Sequence, residues 1–178
     1  GYDCEFTREH GGTKISEKIR EIILDGGNKE ETPETEALLY AAARAQLVSE
    51  LIIPAAESGK IVVCDRYIDS SVAYQGYGRG LGKEFIDDIN SFAIKNRMPD
   101  VTLFFDITPE RAFERKGGAD KNDRMEQSGL SFHKKVYEGY LRQATEYPER
   151  IVRINAEQTV EKVFADVIRV LKERNIVK

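Results

Sequence analysis

Ile61, Val62, Val63 and Cys64 form an unbroken apolar run that stops at Asp65-Arg66. A strand that is apolar on both faces belongs in a sheet covered on both faces, which calls for parallel strands with helices packed against them. The rest of the chain keeps that alternation. Residues 2–7, 61–64, 101–105 and 151–154 read as strands, and apolar residues recur at helical spacing between them. Ile15, Ile19, Ile22 and Ile23 share one helical face after Gly11-Gly12-Thr13, up to a Gly26-Gly27 stop. Thr32-Pro33 opens a long helix that runs to about Gly59 with a bend at Pro54, and Ala37, Ala41 and Ala45 lie beside its leucine stripe. Phe85, Ile86, Ile89, Phe92 and Ala93 mark another helix, Thr108-Pro109 starts the next, and residues 128–146 form one more before Pro148. Thr159 caps the last, whose stripe is Val163, Phe164, Val167, Ile168 and Leu171. The glycines at 76, 78, 80 and 82 read as a flexible turn. With no repeat, low-complexity tract or linker, the expectation is one α/β domain over residues 1–178, its parallel sheet covered by helices on both faces.

In open α/β sheets, ligands bind where strands reach their carboxyl ends. Asp65 suits a hydrated cation there, and Arg66 a planar fork on phosphate oxygens. Ser71, Tyr74 and Gln75 follow with hydroxyl and amide groups able to read a nucleobase or sugar. Arg8, Arg20 and Arg44 lie at strand ends or on the helices after them, and Glu9 is a second carboxylate for magnesium, directly or through water. The charged stretch 115–127, with Arg115 and Arg124, reads as a lid over a donor nucleotide. Plainer readings compete: an ordinary strand-end ion pair for Asp65-Arg66, solvated charges for Arg20 and Arg44, a core residue for Tyr40, a solvated loop for the lid.

Composition narrows the partners. A net charge of −4 provides no basic field for nucleic acid. Cys4 and Cys64, each in an apolar run, read as buried thiols in a reducing cytosol rather than as a disulfide or metal pair. No stretch approaches the ~18 apolar residues of a membrane span, and no signal peptide is visible. The phosphate-cradling pattern G-x-x-x-x-G-K-[ST] does not occur: Gly59-Lys60 and Gly82-Lys83 both lack the earlier glycine and the following hydroxyl residue.

Thr7-Arg8-Glu9-His10-Gly11-Gly12-Thr13, Ala41-Ala42-Ala43-Arg44, the run from Asp65 to Gly76, and Asp123-Arg124-Met125-Glu126 resemble bacterial thymidylate kinases, in order and spacing. The resemblance implies a P-loop nucleoside monophosphate kinase fold and transfer of phosphate from ATP, with Mg²⁺, to dTMP. It implies that Tyr40 stacks on thymine, that Arg44, Ser71 and Gln75 read its polar edge, and that Tyr74 packs on the deoxyribose. Arg20 and Arg66 would hold the acceptor phosphate, Asp65 and Glu9 would orient magnesium, Arg124 and Arg115 would steady the donor phosphates, and the Asn155-Ala156 turn would border the adenine. A cytoplasmic homodimer, packed through helices that include the one after Pro33, is implied as well.

Two departures accompany the resemblance. His10 stands where the family usually has proline. The family also begins with a central strand, a P-loop and a helix that this sequence lacks, so the expectation is an N-terminally incomplete chain, short by roughly thirty residues (about one strand–loop–helix unit) and inactive as it stands. A kinase for another nucleotide or deoxynucleoside, or a non-catalytic nucleotide-binding protein, are the alternatives.

Overall fold

The computed structural model describes residues 1–117 and 124–178. Strand β1 (Cys4–Arg8) leads into helices α1 (Lys14–Leu24) and α2 (Pro33–Leu47). α2 runs on through a π-helical stretch, Val48–Ile52, into α3 (Ile53–Glu57). Pro54 explains that stretch: its nitrogen carries no proton for the carbonyl one turn back, and a wider turn accommodates the missing hydrogen bond. Strand β2 (Ile61–Asp65), helix α4 (Ile68–Ser71), a second π-helical stretch (Val72–Gly78) and α5 (Lys83–Ile94) follow. Then come β3 (Thr102–Asp106), α6 (Pro109–Lys116), a 3-10 turn (Glu126–Ser128), α7 (Gly129–Glu146), β4 (Ile151–Asn155) and α8 (Val160–Glu173).

The helix starts fall where the sequence places them. Thr13, Thr32 and Thr108 each accept a hydrogen bond from a backbone N–H three residues on, through the threonine side chain, and Pro33 and Pro109 occupy the first helical position, where a missing donor does no harm.

All strand pairing is parallel. β1 pairs with β2, Cys4 opposite Ile61 through Arg8 opposite Asp65; β3 pairs with β4, Thr102 opposite Ile151 through Asp106 opposite Asn155. The parallel sheet expected from the alternation takes the form of these two pairs, with no hydrogen-bonded strand between them among the described residues. Phe6, 72% exposed, Val63 and Phe105 accordingly stand uncovered on their strands.

Other expectations need correction. Val72–Gly78 is helical, so Gly76 and Gly78 belong to a π-helical stretch and the turn is confined to Gly80 and Gly82. The continuous run Pro33–Glu57 is long and apolar enough, by length and composition, to cross a membrane, although Glu36 and Arg44 lie buried along it in ion pairs within the protein. Ala37 and Ala41 are buried there too, leaving Leu38 as the exposed apolar side chain on α2. On α8 the stripe is shifted: Phe164 is exposed and Val170 is the buried residue. Both thiols are free, and burial pushes that of Cys64 up to about 12.

The core nearest the strand ends joins Ala37 and Val48 to Tyr67, Ile68, Val72 and Ile86. A neighbouring cluster packs Ala73 against Met125, just before the 3-10 turn, and Phe132 and Val136 of α7. Glycine permits this approach. A Cβ on Gly78 would lie 2.7 Å from the Phe132 ring, and one on Gly139 would lie 2.8 Å from the Tyr77 ring, so the π-helical stretch and α7 each seat an aromatic side chain against the other's bare backbone.

Candidate active site at the strand ends

Beyond β1 the chain turns sharply. The Glu9 N–H donates to the Asp65 carbonyl at 2.9 Å, carrying the β1–β2 pairing one step past the strands. Gly12 has φ +80°, and a Cβ there would lie 2.3 Å from Thr7 Oγ1, so only glycine closes the loop this tightly. Its N–H donates to Glu17 at 2.9 Å, and Arg8 donates to the same carboxylate at 3.1 Å. The turn folds His10 inward, with its ring edge-on to Tyr40 at 4.3 Å and its Nε2 buried without a hydrogen-bond partner. Arg20 donates to the His10 carbonyl at 3.2 Å. Burial, and then the positive charges of Arg20, Arg66, Arg44 and Arg8, hold the His10 imidazole down at about 3. The charge of all four guanidiniums opposes protonation of this ring.

Arg44 is fully buried. It donates to Glu9 through Nε at 2.7 Å and again through Nη2 to the other carboxylate oxygen, to Ser71 Oγ at 3.0 Å, and to Asn90 Oδ1. Burial pushes the Glu9 carboxyl above its usual value, against the pull of Arg44. The guanidinium also lies 5.5 Å from the centre of the Tyr67 ring.

Arg66 follows β2 with φ +67°, a left-handed conformation that is uncommon outside glycine and ends the strand at Asp65. Its guanidinium sits 5.0 Å over the Tyr74 ring, which also meets Phe132 and Tyr140 edge-on. Gln75, one residue on, donates through Nε2 to Glu36 of α2 at 2.8 Å. Glu36 further accepts from Arg79 at 3.2 and 3.0 Å and pairs with Arg124 at 2.7 Å; Arg124 reaches Glu31 as well, at 3.3 Å. Arg115 donates to the Ala156 carbonyl at 2.5 Å, and Asn155 Oδ1 accepts the Glu157 N–H at 2.9 Å.

The structure thus gathers Glu9, Arg20, Tyr40, Arg44, Ser71, Asp65, Arg66, Tyr74 and Gln75 around the ends of β1 and β2, and puts Arg115 on the Asn155-Ala156 turn. Arg124 faces the carboxylates of α2 and the loop before it. Of the lid, residues 118–123, including Asp123, lie outside the described residues.

For magnesium, Asp65 is the carboxylate with free oxygens, while both Glu9 oxygens face Arg44. Among the described residues no three His, Cys, Asp or Glu side chains cluster to hold a metal on their own. One free carboxylate suits an ion that keeps its waters and is shared with substrate phosphates. A separate cleft lined by Asp69, Lys83, Asp87 and Arg150 contains none of these groups, and its charges already pair, Asp69 with Arg150 and Lys83 with Asp87.

Sequence reasoning missed Glu36, Arg79 and Asn90. Glu36 carried a signal: it lies four and eight residues before Tyr40 and Arg44, on the same face of one helix.

A family model described as thymidylate kinase matches residues 1–167. The chain belongs to the thymidylate kinase family. Thymidylate kinases of Thermoanaerobacter sp. (strain X514) and Halalkalibacterium halodurans are 50% and 51% identical to it over 173 and 176 residues, spanning 97% and 98% of this chain and 84% of each relative. That of Lactobacillus acidophilus is 52% identical over 170 residues, or 94% of this chain and 79% of the relative. Parallel strands with interleaved helices agree with membership of the family. The family match lends no support to the expectation that the chain is inactive.

Proposed function

We propose that this chain transfers the terminal phosphoryl group of ATP to dTMP, giving dTDP and ADP. Family membership supports the reaction. The observation that carries the site is the set of arginines held at the ends of two parallel strands, Arg20 on the His10 carbonyl, Arg44 on Glu9 and Ser71, and Arg66 over Tyr74. Cationic groups assembled ahead of an anion stabilise charge without reorganising during transfer. In this reading Arg20 and Arg66 grip the acceptor phosphate and Tyr40 stacks on thymine. Arg44, Ser71 and Gln75 line the polar edge of the base, and Tyr74, held under Arg66, packs on the deoxyribose where a ribose hydroxyl would crowd it. Mg²⁺ arriving with ATP supplies charge neutralisation at the donor phosphates, and Asp65 holds it through water. Arg115 steadies those phosphates beside the Asn155-Ala156 turn, while Arg124 stays with the Glu36 and Glu31 carboxylates.

Two parallel strand pairs with interleaved helices support the P-loop nucleoside monophosphate kinase type of fold. A single domain with its lid at residues 115–127, a cytoplasmic location, and a homodimer using the exposed Leu38 face of α2 complete the reading.

The test is ADP release with ATP-Mg²⁺ and a panel of monophosphates. The expected outcome is the highest kcat/KM for dTMP. Equal turnover of dTMP and dCMP overturns the substrate assignment, and dTMP binding without any turnover favours a non-catalytic nucleotide-binding protein.

A further inference from the structure

Two polar rungs join α2 to the helical segment after β2. Arg44 donates to Ser71 at 3.0 Å, and Gln75 donates to Glu36 at 2.8 Å. Residues 36, 40 and 44 share one face of α2, so Tyr40 lies one turn from each rung. The second rung has a chemical direction. A carboxylate only accepts hydrogen bonds, so the Gln75 amide must turn its NH₂ toward Glu36; the flipped amide would set oxygen against oxygen. Glu36 and Gln75 are each 1% exposed, and Gln75 Oε1 is left buried with no hydrogen-bond partner. Arg79 and Arg124 brace the Glu36 carboxylate from elsewhere in the fold.

We infer that Glu36 is a positioning residue for base selection: it locks the Gln75 amide so that the atom offered beside Tyr40 is an acceptor. An acceptor at that position pairs with a pyrimidine bearing a proton on N3, as thymine does. It opposes cytosine, whose N3 carries a lone pair. Glu36 touches no substrate; it acts through Gln75. The inference rests on the proposed thymidylate site.

Calorimetric affinities of the full chain for dTMP and dCMP provide the test. Glu36→Gln places an amide opposite Gln75 and frees it to turn either way. The preference for dTMP over dCMP is expected to fall about tenfold or more, through weaker dTMP and maintained or tighter dCMP binding. A preference that survives in Glu36→Gln, whether both affinities drop together or neither does, overturns the inference and leaves the thymidylate reading standing. Wild-type protein that binds dTMP and dCMP alike removes that reading and the inference with it. Should Glu36→Gln fail to fold, N3-methylated dTMP tests the wild type: affinity about tenfold or more below that of dTMP is expected, and equal affinity overturns the inference.

Discussion

The two strand pairs end in opposite ways. At the end of β1–β2 an ion pair is buried among incompletely satisfied polar groups: the Arg44 and Glu9 side chains are 1% and 4% exposed, and Thr7 Oγ1, His10 Nε2, Tyr67 OH and Gln75 Oε1 lack partners. At the end of β3–β4, Asp106 accepts from Tyr137 at 2.7 Å and from Arg153 at 2.9 Å, and Arg153 is 56% exposed. Unmade hydrogen bonds in a dry site are costly and persist in native proteins where function retains them. One end of the molecule is finished by its own side chains. The other is arranged for something to complete it.

Charge removal tests that contrast hardest. Arg44→Met strands Glu9 in the interior and is expected to cost about 3–5 kcal/mol in urea unfolding. Arg153→Ala at the opposite end should stay within about 1 kcal/mol of wild type, since an exposed pair contributes little. Similar losses at the two sites would abolish the distinction.

Protons probe it next. His10 sits at about 3 when folded, against an ordinary 6.5, so below 6.5 the unfolded chain binds a proton that the native state refuses. The stability associated with a neutral His10 is complete above pH 6.5 and is lost as pH falls toward 3, by about 2 kcal/mol at pH 5. Urea midpoints from pH 7 to pH 5 should therefore fall in wild type, and His10→Gln should remove that part of the slope.

The smallest effects separate binding from packing. Tyr40→Leu should raise KM for dTMP about tenfold by losing a base-stacking surface. Tyr137→Phe should leave that KM unchanged and cost about 1 kcal/mol of stability through its hydrogen bond to Asp106. A shift in KM from Tyr137→Phe would blur the line between the two ends.

What could be read from the chain and what could not divide along sequence distance. Helix starts at Thr13, Thr32 and Thr108 were legible because a cap and the N–H it serves lie within one turn of each other. The strands were legible as apolar runs, to within two residues at each end. Arg44 and Gln75 were recognisable as site residues by resemblance, yet their partners Glu9 and Glu36 stand 35 and 39 residues away, beyond the reach of any local pattern. The π-helical stretches escaped notice for another reason. The wider turn at Val72–Gly78 has no sequence signature of its own, and four glycines in seven positions look like a loop until Gly78 is seen against Phe132.

That near-contact of Gly78 and Gly139 with the aromatic rings opposite them has a mechanical consequence. Close-packed interiors transmit displacement instead of absorbing it. α7 and the segment bearing Tyr74 and Gln75 are geared together by these contacts, so neither can tilt without displacing the other. A tilt of α7 would therefore reach the Tyr74 and Gln75 side chains by contact alone.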